Sequence, residues 1–188
     1  MKRTDLFIAK PAILLSLIMI GTCWVALSHA EPGIAKNEPA IWSEDKRFVD
    51  QRDHSIIDTQ TGLMWLKSDS YQITGHWMNW TDSFKFISAL NETGFANHFD
   101  WRLPTLDELR TLYEAKKINS AQVGREMVIH IDPVFAKEGS GSLWSSEVNG
   151  HFNAFGIIFN TGQRFSAHKS SKSRKAVRAV RTGHPPAN

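Results

Sequence analysis

Cysteine is almost absent from this 188-residue chain: Cys23 is the only one. A lone thiol forms no internal disulfide, so the fold must be held by packing. Other absences narrow the chemistry. No internal repeat and no coiled-coil heptad is visible, and no GxSxG nucleophile motif occurs. The histidines (29, 54, 76, 98, 130, 151, 168 and 184) are scattered. None forms an HxH or HxxxH pair with a nearby carboxylate, so no zinc site or other metal site is expected. The formal charge is only +3, which gives no global basis for nucleic-acid binding. No cofactor is implied. Tryptophan, by contrast, is abundant, at seven residues. Rings of that size serve first to fill a core.

The N-terminus reads as an export signal. Lys2, Arg3 and Lys10 precede the apolar run "PAILLSLIMIGTCWVAL", and Ser28 and Ala30 present small residues at the cleavage positions. Residues 1–30 are therefore expected to be a signal peptide cut after Ala30, with a periplasmic or extracellular product. Two alternatives stand beside this: retention of the apolar run as a membrane anchor, and lipidation at Cys23. Cleavage removes three positive charges and one negative, bringing the formal +3 to about +1, and it removes the cysteine. Basic character in the remainder is local.

Residues 31–46, with two prolines and no periodicity, read as a flexible linker. The domain is expected to span 47–183, followed by a tail at 184–188. "RFVD", "SIID" and "GLMWL" are short β-forming runs separated by turns, "TQTG" the clearest, and predict an antiparallel meander. A first helix is expected from an Asn79 cap, with Asp82 reaching back and Trp80, Phe84 and Ile87 on its apolar face, joined by Phe86 or Leu90. Gly94 is its expected stop. A second helix begins in "DWRLPTLDEL" (100–109). Thr105 is the cap, Glu108 completes a capping box, and Pro104 keeps the residue before it extended. Its stripe of Leu106, Leu109, Leu112 and Tyr113 is expected to run on to about Lys117. "EMVIHIDPVF" is a possible strand broken at Asp132-Pro133. "SLWSSEV", Asn149-Gly150 and "HFNAFGIIF" predict a hairpin with a two-residue type I′ turn. "NTG" then turns the chain into "QRFSAH", and a basic loop, "KSSKSRK", leads to a last strand in "AVRAVR". Sheet, two helices, then sheet is an α+β order.

These residues resemble a known family. "DTQTGLMW" (58–65, with Asp58, Gly62 and Trp65), Trp80 opening a helix, "DWRLPTLDEL" (with Trp101, Arg102, Pro104, Thr105 and Glu108), "LWSS" (with Trp144) and "VRAVR" (with Arg178 and Arg181) fall in the order of the Lcl C-terminal domain family. The resemblance covers about Arg47 to Gly183. It implies a C-type-lectin-like fold, similar to that of the formylglycine-generating enzymes, with two helices flanking twisted antiparallel sheets. Formylglycine chemistry itself depends on cysteine, which the cleaved chain lacks. Many members of the family carry a cysteine pair where this chain has Ile87 and Ala179, so the resemblance implies a bridge replaced by apolar packing. The glycine-rich acidic first turn of many members is here "DQRDHS", with Arg52 between two aspartates.

Few motifs point to a site. Asp107 and Glu108 are adjacent on a helix and point about 100° apart, so they do not face one substrate. Asp100 and Arg102 share a side of an extended segment and are able to pair, with Arg178 and Arg181 offered as further partners there; Arg178 and Arg181 are also expected to serve buried carboxylates. The 100–109 motif is thus expected to be scaffold. Asp50, Asp53 and Asp58 supply oxygens for calcium, but without the glycine such loops use. "EVN" (147–149) is explained by the hairpin turn.

Two hints of binding remain. From Arg164 to Arg181 there are seven Lys or Arg residues and no acid. Arg164, Lys169, Lys172, Arg174 and Lys175 are candidates to gather around an anionic chain. Tyr71, His76 and Trp77 lie in a loop before the first helix, where a ring can stack on a sugar. The expectation is an exported, non-enzymatic binding module for anionic polysaccharide or a surface protein. The alternatives are an enzyme acting on envelope or extracellular polysaccharide, and a structural subunit of a surface assembly.

Overall fold

A computed structural model describes residues 40–183. The signal segment, most of the expected linker and the tail from residue 184 lie outside the described residues. Among those described, no helix is long and apolar enough to cross a membrane.

The chain begins with four short strands, β1 (Ile41–Trp42), β2 (Phe48–Asp50), β3 (Ser55–Asp58) and β4 (Leu63–Leu66). They form the expected meander, and the last strand, β10 (Val180–Thr182), returns to pair antiparallel with β4, giving the order β1-β2-β3-β4-β10. Residues 41–46 therefore belong to the folded domain rather than to the linker: Ile41 and Trp42 pair with Asp50 and Val49, and the turn that follows includes the buried Ser43. The missing periodicity reflects a two-residue strand, which is too short to show an alternation.

Between the ends of this sheet lie α1 (Ser70–Thr74), α2 (Trp80–Glu92), a 3₁₀ turn (Phe95–Asn97), α3 (Leu106–Leu112), the small pair β5 (Ser120–Ala121) and β6 (Val128–Ile129), and the meander β7 (Ser142–Asn149), β8 (Asn153–Ile158) and β9 (Gln163–His168). The result is an α+β domain with three antiparallel sheets. Strand alternation divides the interior in two. Ile56, its partner Trp65 and Val180 join Leu106, Leu109 and Leu112 of α3 in one cluster. Ile57 and its partner Met64 join Phe86, Ile87 and Leu90 of α2 in the other. The large sheet is thus covered on both faces. Ile87 and Ala179, the positions of the absent cysteines, lie in this second cluster, buried together.

The helices depart from expectation in four details. Aspartate 69 caps the short α1 through Tyr71 and Gln72 N–H, a helix too brief to leave a periodic signal. Asn79 does cap α2 by accepting from Asp82 N–H at 2.7 Å, but the Asp82 carboxylate turns to Lys172 and Lys85 instead of reaching back. The buried face of α2 is Ser83, Phe86, Ile87 and Leu90; Phe84 is exposed and sets its edge against the Trp80 ring. Finally, α3 stops at Leu112, not near Lys117. Tyr113 is extended, and Glu114 N–H is drawn to the carbonyl of His130.

The hairpin between β7 and β8 also differs. Asn149 pairs with Asn153, so three residues form the turn, and Gly150 takes the positive φ. A type I′ turn needs positive φ at both central residues. Asn149 instead stays in the strand, its side-chain amide donating to Ser166 Oγ on β9 at 3.0 Å.

Candidate functional site

The tryptophan–arginine motif at 100–109 is fully engaged in holding the fold. Trp101 is buried, its indole N–H donates to Phe95 carbonyl at 2.9 Å, and its backbone exchanges hydrogen bonds with the Asn91 side chain. Arg102 does not pair with Asp100. It grips Glu108 with two bonds of 2.6 and 2.8 Å, and Glu108 also accepts from Thr105 N–H while Thr105 Oγ1 accepts from Glu108 N–H. The guanidinium of Arg102 holds the Glu108 carboxyl below its ordinary range. Asp100 pairs instead with Arg181, at 2.5 and 3.2 Å, because β10 runs beside this segment and Arg102 and Val180 exchange backbone bonds. Asp100 is exposed, so Arg181 does not serve a buried acid.

Arg178 also departs from expectation. It is buried, but its Nη1 donates to the carbonyls of Leu66 and Lys67, and its guanidinium stands 4.9 Å from the Phe135 ring. Burial pulls its pKa down to about 10, and the nearby Asp69 offsets part of that effect. The buried carboxylate of the first motif, Asp58, is met by Arg47, with bonds of 2.6 and 3.1 Å, and Asp58 carbonyl accepts from Gly62 N–H in the turn that Gly62 closes with φ 70°.

The aspartates considered for calcium are separately occupied. Asp50 binds Lys67 and Arg52 N–H, Asp53 binds Ser55, and Asp58 binds Arg47 and Gln60 N–H. Among the described residues no group of three metal-ligating side chains converges. Glu147 of "EVN" has a role the sequence did not reveal. A register shift in β7 between Trp144 and Val148 turns it toward α3, where it accepts Leu106 N–H at 2.8 Å. The same bulge lets Ser145 carbonyl accept from Trp80 indole N–H, and Ser146 N–H donate to Pro104 carbonyl. Trp144 is buried below, with its indole N–H on Met78 carbonyl.

The two weak hints from sequence meet in space. The loop from His76 to Trp80 runs beside the basic loop 169–175: Met78 N–H donates to Lys175 carbonyl at 2.9 Å, and Trp80 N–H to Lys169 carbonyl at 3.0 Å. Trp77 stacks on Tyr71 with centroids 4.0 Å apart, both rings half-buried and His76 exposed beside them.

The cations of the basic loop are partly committed. Lys169 Nζ donates to His151 carbonyl and lies 5.0 Å from the Trp80 ring. Lys172 pairs with Asp82 at 3.1 Å, which lowers the Asp82 pKa. Lys175 folds back over Trp144 and Phe165, where burial lowers its pKa. Arg174 takes positive φ and reaches toward Gly124 carbonyl at 3.5 Å. Arg164 stands apart. It lies five residues earlier on β9, roughly 16 Å along the strand at about 3.3 Å per residue, over the Phe155 ring at 4.4 Å. What assembles is an aromatic pair beside a basic strap.

A separate groove of about 440 Å³ lies at the β1 edge, between Trp42, Ile118 and Pro133. Sequence reading missed it, because Trp42 fell in the expected linker. Its only sequence signal is an aromatic within an otherwise polar arm.

Comparison with curated proteins gives no significant match. Residues 54–181 match the Lcl C-terminal domain, which covers the motif at 100–109, both binding hints and most of the large sheet, and the chain belongs to that family.

Proposed function

We propose that this chain is an exported, non-enzymatic binding module with a C-type-lectin-like fold, and that it holds anionic glycan on the face shared by the 76–80 loop and the 169–175 loop. The observation that carries the reading is the backbone pairing of Met78 with Lys175 and Trp80 with Lys169. It draws the segment that carries Trp77 against the basic strap, and a sulfated or uronic sugar offers both a ring to stack and a charge to pair. A surface protein with an acidic patch is the alternative partner. The lectin-like assignment is supported by the antiparallel sheets and by β10, which returns the C-terminal end of the domain to the sheet that holds its N-terminal strands. Export rests on the N-terminal charge and apolar run.

Retention on immobilised heparin, against an uncharged glycan matrix and a plain cation exchanger, tests the reading. The protein should elute from heparin at higher salt than from the exchanger. The Lys172→Ala, Arg174→Ala double variant should lose that difference, and both of its side chains lie outside the core. Elution from heparin at the exchanger's salt would overturn the proposal.

A further inference from the structure

The groove at the β1 edge has walls built from three separate parts of the chain. Ile41 to Glu44 form one wall, Lys116 to Ile118 the second, and Asp132 to Val134 the third. Lys117 ties all three: its Nζ reaches Asp45 at 2.9 Å and Asp132 at 2.8 Å, and Asp132 is buried. Asp45 is further held by Ser43 Oγ at 2.7 Å and by Arg47 N–H at 3.1 Å. Asp132 accepts Val134 N–H at 2.9 Å, fixing the third wall at its turn. The walls are thus pinned from beneath while apolar side chains stay uncovered above them. Trp42 is 40% exposed and Ile118 65% exposed. A pre-set site of this kind spends little free energy on ordering when a ligand arrives.

Charge selects the ligand. Lys117 is held between two carboxylates, so its charge is already balanced and offers little to an anion. The other charged residues that line it, Glu44 and Lys116, carry opposite signs. An anionic polymer gains little here, and an aliphatic ligand would use the apolar walls but neither of the exposed Glu44 and Lys116 heads. An uncharged pyranose suits both features: its axial C–H face lies flat on an indole, and its equatorial hydroxyls meet a carboxylate and an ammonium.

We infer that the Trp42 groove is a binding site for uncharged β-linked pyranosides, distinct from the basic face and independent of its function. β-Linked gluco-configured sugars present the flattest C–H faces, so cellotetraose and chitotetraose are the probes.

The test is titration of the full chain with each tetraose while the indole N–H resonances are followed by NMR. The Trp42 resonance should move saturably with at least one tetraose at millimolar concentration. Trp42→Ala should weaken binding about tenfold or more, and Trp42→Phe, which keeps a ring on the edge strand, should weaken it less. Lys117→Met should weaken binding with Trp42 intact, because the three walls lose their common tie. Heparin retention should be unchanged in the Trp42→Phe variant, which separates this site from the basic face. A Trp42 resonance unmoved by both sugars would overturn the inference, and so would equal affinity in the Trp42→Ala variant.

Discussion

Arg47 closes on Asp58 through bonds of 2.6 and 3.1 Å, and extends to Glu114 and the carbonyl of Thr111. Both partners of the pair are buried, so removing one strands the other's charge. Arg47→Met should cost about 3–5 kcal/mol, read as a lowered urea midpoint. The exposed Asp100–Arg181 pair is a contrast: Asp100→Asn should change stability by about 1 kcal/mol or less. Acid sensitivity belongs to this scale too. Arg102, backed by Thr105, holds Glu108 below its ordinary pKa. A depressed carboxylate contributes stability above its unfolded pKa, near 4.3, and loses it as pH falls through the folded value. Glu108→Gln should therefore be less stable at neutral pH yet lose less on acidification, as urea midpoints at pH 7 and pH 3 would show. The Thr105–Glu108 box was legible in the sequence because its partners are three residues apart. The Asp100–Arg181 pair was only one of several options for Asp100, because spacing over 81 residues does not say which distant arginine arrives.

At the scale of elements, strand β8 has no room for a side chain at Gly156. Gly156 faces Leu143 carbonyl across the β7 pairing, and a Cβ there would stand 2.2 Å from that oxygen and 2.4 Å from the Phe165 ring. Gly156→Ala should destabilise by about 1–3 kcal/mol through overpacking, measurable as a drop in thermal midpoint with no change of secondary structure. Helix α2 illustrates why periodicity located the helix and most of its buried face, Phe86, Ile87 and Leu90, but misplaced Phe84. Phe84 lies at the boundary of the stripe, and whether a boundary residue is buried depends on where the sheet stands. The three-residue turn after Asn149 has a similar cause. Its length follows from Asn149 bonding across to Ser166, a partner on a strand two away in sequence order.

For the whole molecule, β10 is the closing element. It pairs with β4, buries Val180 and exchanges bonds with Arg102. Deleting the chain from Val180 onward should abolish cooperative thermal unfolding, followed by near-ultraviolet circular dichroism. A variant that still melts in one sharp transition would show that the remaining sheets suffice. The sequence by itself determined the α+β order, the caps of the two longer helices, the first meander and the family motifs, because each of these is written in residues a few positions apart. Tertiary structure decided the rest. It placed the β1 arm in the sheet and opened the Trp42 groove, and it gave Arg178 backbone carbonyls in place of an acid. It also drew the 76–80 loop against the basic strap about ninety residues further along the chain. Those outcomes depend on which distant segments share a sheet edge or a loop, and local spacing carries no record of that choice.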